Sequence, residues 1–137
     1  MIVVDTNIIA YLLIEGDRTS NCRKVLSQDP VWCVPFLWRS EFRSVLSHHM
    51  RHAGMSFKGA VSRVVEAEKL LDGREYSITS STILSLTEMY PISAYDAEFI
   101  CLAEKLGAKL VTTDKSILKH FPDSAATPED FTKTGEP

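Results

Sequence analysis

The sequence has few features of a secreted or membrane-bound protein. Its three cysteines are an odd number and form no CxxC pair or Cys/His cluster with metal-ligand spacing, which favours free thiols in a reducing compartment over a disulfide framework. The apolar stretch over residues 1–14 lacks a basic leader and is interrupted by Asp5 and Asn7, so it predicts neither a signal peptide nor a membrane span. We therefore expect a cytoplasmic protein with no membrane partner.

A Gly-rich phosphate loop, internal repeats and an excess of positive charge are also missing. With 15 Lys and Arg against 18 Asp and Glu, the net charge is -3, which argues against a protein that coats nucleic acid non-specifically. A local basic face is still possible, because Glu41 is the only acidic residue between Arg39 and Arg63. Arg39 and Arg43 are candidate RNA-binding residues on this stretch, and a solvated helix surface is the alternative interpretation.

The remaining pattern indicates one α/β domain. A chain of 137 residues that is 45% hydrophobic can bury a three-layer core. Apolar strand patterns alternate with helical ones, which predicts an α/β/α sandwich around a mostly parallel sheet of about four to five strands. We expect the domain to span residues 1–131, and residues 132–137 to form a flexible tail because they have nothing to bury.

The clearest local pattern lies in residues 93–114. Apolar residues spaced by three and four predict a helix that begins near Ser93 to Asp96 and stops at Gly107, followed by a short buried strand from Leu110 to Thr113. A helix of about 11 residues at ~1.5 Å per residue and a strand of about 5 residues at ~3.3 Å per residue have nearly equal lengths. The chain thus returns to its starting level, and Asp96 should meet Asp114.

Two further acids are expected at the same edge of the sheet. Asp5 ends the first strand, Ile2 to Val4, and Glu41 lies in the helix that follows the second strand. Carboxylates packed together raise one another's pKa unless a cation neutralises them, so the cluster predicts a divalent ion. Oxygen ligands without nearby Cys or His favour Mg²⁺ or Mn²⁺, which can activate water for phosphodiester hydrolysis.

Each of these acids also has an ordinary interpretation. Asp5, Asp96 and Asp114 could be turn or cap residues of their helices, and Glu41 could be an exposed helix residue. Four independent caps at one end of one sheet are a less economical explanation than a single site. Thr112 and Asn7 are candidates for orienting the carboxylates by hydrogen bonds, with a plain strand threonine and a turn asparagine as alternatives.

At this point the chain resembles the PIN-domain family, and within it the VapC-like toxin ribonucleases. The resemblance rests on three segments in order: Val3-Val4-Asp5-Thr6-Asn7-Ile8-Ile9, then Glu41, then Tyr95-Asp96-Ala97 through Leu106-Gly107 with Leu110-Val111-Thr112-Thr113-Asp114. It implies an endoribonuclease dependent on Mg²⁺ or Mn²⁺, with Asp5, Glu41, Asp96 and Asp114 as catalytic and metal-binding residues and Thr112 as their hydroxyl companion. It also implies a homodimer and, for the toxin branch, a cognate antitoxin.

From the metal chemistry, we expect cleavage of single-stranded or loop RNA to 5′-phosphate and 3′-hydroxyl ends. Two alternatives within the family are an RNA-processing nuclease without an antitoxin and a catalytically silent PIN scaffold that acts by protein contacts. A third lies outside it: a phosphate-transfer receiver or a haloacid dehalogenase-type phosphatase. Those proteins need a second acid near the first strand, whereas Asp5 is followed by Thr6 and Asn7.

Overall fold

A computed structural model describes residues 1–134 as strands that alternate with helices. The strands are β1 (Ile2–Val4), β2 (Trp32–Pro35), β3 (Glu75–Tyr76), β4 (Leu110–Val111) and β5 (Ala125–Ala126). The helices are α1 (Thr6–Leu13), α2 (Thr19–Gln28), α3 (Trp38–His52), α4 (Phe57–Leu70), α5 (Ser80–Met89), α6 (Ala94–Leu106), α7 (Lys115–His120) and α8 (Pro128–Thr134). None of the helices described is both long and apolar enough to cross a membrane.

The five strands form one sheet in the order β3-β2-β1-β4-β5, and every pairing is parallel. The predicted α/β fold with a parallel central sheet is therefore confirmed. Strand β1 lies in the middle, where Val3 is in register with Cys33 of β2 and Leu110 of β4. Parallel strands present their carboxyl ends at one edge, so the residues that follow β1 and β4 emerge side by side.

The sheet separates two apolar clusters. Ile2 and Val4 of β1 pack into the cluster that contains Trp38 and Phe42 of α3, whereas Val3 packs into the cluster formed largely by α6. This alternation is expected of a strand that is covered on both faces. The three cysteines are buried and unpaired, and burial raises the pKa of the Cys22 thiol to about 12.

Two boundaries differ from the sequence prediction. Proline is favoured at the first position of a helix, which predicts a helix start at Pro35, but Pro35 is the last residue of β2 and α3 begins only at Trp38. The second difference is α8, which continues past Phe131 to Thr134. Residues 132–134, expected in a flexible tail, thus belong to a helix, while residues 135–137 of that prediction lie outside the described residues.

Helix α8 is held to the domain by contacts that the sequence did not reveal. The Asn21 side-chain amide of α2 donates a hydrogen bond to Glu129 at 2.8 Å, and Thr132 is only 9% exposed. The sequence nevertheless contains local signals for the start of this helix. Proline is favoured at the first position of a helix. Thr127, which precedes Pro128, accepts a hydrogen bond from the Asp130 backbone N–H at 3.1 Å, as a helix-capping hydroxyl does.

Candidate active site

An open cavity of about 260 Å³ lies at the carboxyl edge of the sheet. Its walls contain the four acids singled out from the sequence: Asp5, Glu41, Asp96 and Asp114. The other lining residues are Thr6, Asn7, Ser44, Val45 and Phe99. Side chains from β1, α1, α3, α6 and the β4–α7 turn therefore meet in one place, and we call this place the acidic cavity.

Asp5 is the most deeply buried of the four acids, with 9% of its surface exposed. It follows β1 and caps α1, where its Oδ1 accepts a hydrogen bond from the Ile8 N–H at 3.2 Å. Its Oδ2 accepts a short hydrogen bond from the Thr112 hydroxyl. Burial raises the pKa of Asp5 from 3.8 to about 6, and the charges of Asp114 and Asp96 add to this rise against the two hydrogen bonds.

Asp114 caps α7, since its Oδ1 accepts a hydrogen bond from the Ile117 N–H at 2.9 Å. Asp96 lies in the first turn of α6, but the capping group of that helix is Ser93, whose hydroxyl accepts from the Asp96 N–H at 3.0 Å. Partial burial raises the pKa of Asp96, and the nearby Asp114 charge raises it further. The helix and strand thus bring Asp96 and Asp114 together, as their matched lengths predict.

Thr112 links two of the acids. The residue is fully buried; its hydroxyl donates to Asp5 and accepts a hydrogen bond from the Asp114 N–H at 3.0 Å. One hydroxyl therefore fixes the Asp5 carboxylate and the backbone at Asp114. This arrangement is the orienting role expected of Thr112 from the sequence.

Glu41 is oriented by a residue that the sequence analysis passed over. The Thr6 hydroxyl donates to Glu41 Oε1 at 2.7 Å, whereas the neighbouring Asn7, which was predicted to orient a carboxylate of the cluster, is exposed and lines the cavity. Burial raises the pKa of Glu41, the Asp96 charge raises it further, and the Thr6 hydrogen bond lowers it. The sequence signal for orienting Glu41 was the hydroxyl of Thr6, the residue directly after Asp5.

A fifth acid, Glu98, was also missed. It follows Asp96 on α6 and is half-buried; burial raises the pKa of Glu98, and the Glu41 charge adds to the rise. No sequence spacing pointed to it, because residues two apart on a helix lie on different faces. The negative potential of this edge therefore extends beyond the four predicted acids.

The two arginines predicted to bind RNA do not line the acidic cavity. Arg39 pairs with Glu75 of β3 through Nε at 2.6 Å and Nη2 at 2.8 Å, and with Glu68 through Nη1 at 3.2 Å. Arg43 is exposed and borders a crevice between α3 and α4. Arg39 and Arg43 lie one turn apart, so they share the α4-facing side of α3, while Glu41 points to the opposite side.

The ion pairs correct the expectation for Arg39. The hydrogen bonds that Arg39 donates to Glu75 and Glu68 raise the pKa of Arg39 above its ordinary value, and the Arg39 guanidinium holds the pKa of Glu75 below its usual range. The guanidinium charge is thus already neutralised within the domain, which leaves little of it to attract a phosphate. RNA contact by Arg43 stays a prediction.

The donor set of the acidic cavity suits a hard divalent cation. All the candidate ligands are carboxylate oxygens, and the pKa values of three of the four carboxyl groups are raised, chiefly by burial and further by the charges of neighbouring acids. No three His, Cys, Asp or Glu side chains within residues 1–134 form a ready-made ligand cage. Mg²⁺ does not require one, since it usually binds through one or two carboxylates and keeps several waters.

The comparisons with known proteins agree with this geometry. The profile of the PIN domain matches residues 2–122. Ribonuclease VapC3 of Pyrobaculum aerophilum is 28% identical over 125 residues, which cover 88% of this chain and 95% of that protein.

Two solved structures share the fold. The structure of PAE2754 from Pyrobaculum aerophilum has a TM-score of 0.72 at 21% identity and covers 97% of this chain and 94% of its own. A toxin-antitoxin complex from Klebsiella pneumoniae gives 0.68 at 18% identity, covering 93% and 98%. Because the domain match extends over most of the sequence, this chain belongs to the PIN domain family.

Proposed function

We propose that this protein is a metal-dependent endoribonuclease whose active site is the acidic cavity. The observation that carries the proposal is the convergence of four carboxylates that no cation of residues 1–134 pairs with, in a chain similar in sequence to a ribonuclease. A purely structural role would leave these raised pKa values as an uncompensated cost. A divalent cation would compensate it and could at the same time bind an anionic phosphodiester.

Asp5, Glu41, Asp96 and Asp114 would hold Mg²⁺ or Mn²⁺. Such an ion, when bound, supplies a water of lowered pKa and neutralises charge on the phosphodiester. The protein's own contribution is orientation: Thr112 holds Asp5 and the backbone at Asp114, and Thr6 holds Glu41. Histidine is absent from the described lining of the cavity, so a histidine pair that activates the 2′-hydroxyl has no counterpart here. We therefore propose products with 5′-phosphate and 3′-hydroxyl ends.

The first experiment measures cleavage of a single-stranded RNA by purified protein. We expect activity with Mg²⁺ or Mn²⁺, loss of activity in EDTA, and 5′-phosphate ends that a 5′-phosphate-dependent exonuclease degrades. Cleavage that persists in EDTA, or products with 2′,3′-cyclic phosphate, would disprove the metal mechanism. A folded protein without activity on any RNA would support the alternative of a silent scaffold.

A second experiment tests the metal site without using activity. An ion that binds the folded cavity and not the unfolded chain stabilises the fold by about 2.7 kcal/mol at a hundredfold excess over its Kd. We expect Mn²⁺ to raise the melting temperature of the wild type and to have little effect on Asp96→Asn. Asp72→Asn is the matched control, because Asp72 is exposed and lies outside the cavity. An equal response in all three proteins would argue against the site.

We further propose that the ribonuclease is the toxin of a toxin-antitoxin pair in the cytoplasm. The support is the VapC3 relative and the fold shared with a toxin-antitoxin complex. A homodimer fits the exposed apolar stripe of α4, where Phe57, Val61 and Val65 are 64%, 47% and 46% exposed. Expression of the chain should arrest growth, and co-expression of the adjacent open reading frame should restore it. Activity without growth arrest would instead favour an RNA-processing nuclease that has no antitoxin.

A further inference from the structure

A second cavity adjoins the acidic cavity, and the proposed mechanism does not use it. Its volume is about 400 Å³, within the range of roughly 300 to 1,000 Å³ typical of small-ligand sites. Asn7 and Val45 line both cavities, so the two lie side by side. We call this second space the side cavity; it lies between α1, α3 and the turn over residues 15–18.

The walls of the side cavity combine flat apolar surfaces with an unpaired polar atom. Ala10 and Tyr11 come from α1, Ile14 is the residue that follows this helix, and Val45 comes from α3. His49 also lines the cavity, and its Nδ1 is buried without a hydrogen-bond partner among the described residues. Because Nδ1 is buried, a ligand in the cavity can meet only the other edge of the imidazole, where Nε2 can donate or accept a hydrogen bond.

The rim of the side cavity has a planar cation stacked on an aromatic ring. The guanidinium carbon of Arg18 lies 5.2 Å from the centre of the Tyr11 ring. The turn is fixed by Thr19, whose hydroxyl donates to the Tyr11 carbonyl at 2.6 Å and accepts from the Gly16 N–H at 3.0 Å. Unstacked RNA bases are bound by stacking on aromatic rings or guanidinium planes and by hydrogen bonds to their edges.

The charges around the side cavity disfavour a phosphate as its occupant. Glu15 and Asp17 both line it, Arg18 supplies one guanidinium, and Arg23, outside the cavity, pairs with Glu15 at 3.0 Å, so no net positive charge faces a phosphate. A neutral base avoids the repulsion that these carboxylates exert on a phosphate, and its exocyclic amino groups can donate to them. The position also suits a base, because a nucleotide attached to a phosphate in the acidic cavity needs only to pass Asn7 and Val45.

We propose that the side cavity binds the base of a nucleotide that flanks the scissile phosphate. His49 supplies a hydrogen bond to the edge of the base, and Tyr11 and Arg18 supply a stacking surface. This inference rests on the proposed ribonuclease function and names a base-binding site for its substrate. His49 and Arg18 act as binding residues that determine which position of the RNA is cut.

The first test uses the four ribonucleosides as probes, because they contain a base but no phosphate. We expect at least one of them to shift the backbone amide NMR signals of Ala10, Tyr11 and His49, and inorganic phosphate to leave these signals unchanged. His49→Ala should lose the response. His48→Ala is the matched control on the same helix: its ring packs against His52, 4.7 Å away, and it lies outside the side cavity.

The second test measures cleavage of one short RNA in which a single abasic ribose replaces each nucleotide in turn. We expect one position next to the cleaved bond to raise KM roughly tenfold, the effect of losing one stacked base. His49→Ala should raise KM on the intact RNA and add nothing to the abasic defect. Arg18→Ala should raise KM in the same way but by a smaller factor. Arg74→Ala should match the wild type, because Arg74 lies outside the side cavity and donates to the Pro30 carbonyl at 3.2 Å.

The outcomes separate this inference from the proposed function. Metal-dependent cleavage with no nucleoside binding and no abasic effect would overturn the base site and leave the ribonuclease intact. Nucleoside binding without any RNA cleavage would support the base site and contradict the ribonuclease. If the tripeptide Gly-Arg-Gly shifted the same signals while every nucleoside failed to do so, the cavity would be assigned to a protein partner instead.

Discussion

Two glutamates on either side of α3 have opposite electrostatic settings. Glu41 faces the acidic cavity, where burial and the Asp96 charge raise its pKa. Glu75, on β3, receives two hydrogen bonds from Arg39 and one from the Trp38 indole at 2.7 Å, and its pKa is lowered. The same functional group is thus left without a cation on one side of the helix and neutralised on the other.

The difference separates a site for chemistry from a contact for stability. Around Glu75 the compensating charge is a protein side chain, so the interaction stabilises the folded state without any bound ion. Around Glu41 the described residues supply no such cation, and this is the reason for our proposal that a bound metal ion provides the compensating charge. Substitutions on the two sides of α3 should therefore affect different measurements.

The largest expected effect is on cleavage by Asp5→Asn. The substitution removes a negative ligand and keeps the shape of the side chain, and we expect the cleavage rate to fall by about a thousandfold, the equivalent of roughly 4 kcal/mol. The protein should remain folded by circular dichroism. Asp72→Asn, which removes an exposed acid, should retain the wild-type rate. A folded Asp5→Asn enzyme with more than a tenth of wild-type activity would exclude Asp5 from the site.

The second effect is the pH dependence of stability in EDTA. Because the pKa of Asp5 in the folded protein is raised from 3.8 to about 6, its ionisation opposes folding above pH 6. Protonation removes this penalty as the pH falls from 7 toward 4, and the penalty corresponds to about 3 kcal/mol. Urea titrations should therefore show the wild type gaining stability relative to Asp5→Asn over this interval. A constant difference between the two proteins would mean that Asp5 titrates normally.

A smaller effect is expected on the other side of α3. Arg39→Ala breaks the contacts with Glu75, which is 15% exposed, and should lower the free energy of unfolding by about 1 to 2 kcal/mol. The Mn²⁺ response should be unchanged. Arg23→Ala is the control, since its pair with Glu15 is 62% and 75% exposed and should contribute little. Equal decreases in the free energy of unfolding for Arg39→Ala and Arg23→Ala would mean that the Glu75 contact stabilises the fold no more than an exposed ion pair does.

The smallest effect concerns Arg43, an exposed arginine that forms no ion pair with the described residues. If it contacts RNA, Arg43→Ala should reduce the slope of log affinity against log salt by about one phosphate contact. Arg43→Lys keeps the charge and should keep the slope. Indistinguishable slopes for all three proteins would leave Arg43 as part of a solvated helix surface.

The acids at the sheet edge could be predicted from sequence because strand ends and matched element lengths are local properties. Asp5, Asp96 and Asp114 each follow from the position of one strand or helix end. The Thr6 hydrogen bond to Glu41 depends on the relative rotation of α1 and α3, and the Arg39 pair depends on an edge strand 36 residues away. Such contacts are fixed by packing, which a single sequence does not display.

The parallel sheet could be predicted because strand patterns alternate with helix patterns along the sequence. The register between neighbouring strands could not be predicted. Strand β4 has only two residues, too few for periodicity to define its ends. Helix α8 was not predicted, because residues 132–137 were expected to have nothing to bury. Thr127 and Pro128 nevertheless form a typical helix start. Its burial depends on the facing surface of α2, which supplies Asn21.

The hydrogen bond between Asp5 and Thr112 joins residues 107 positions apart. During synthesis, the central strand β1 leaves the ribosome first, but its neighbour β4 and the acid Asp114 follow only after most of the domain has been made. A growing chain therefore has no complete acidic cavity near the messenger and ribosomal RNA that surround it. Because of this strand order, the acidic cavity can assemble only when the chain is nearly complete. We therefore expect truncated chains that end before Leu110 to show no RNA cleavage in a translation extract.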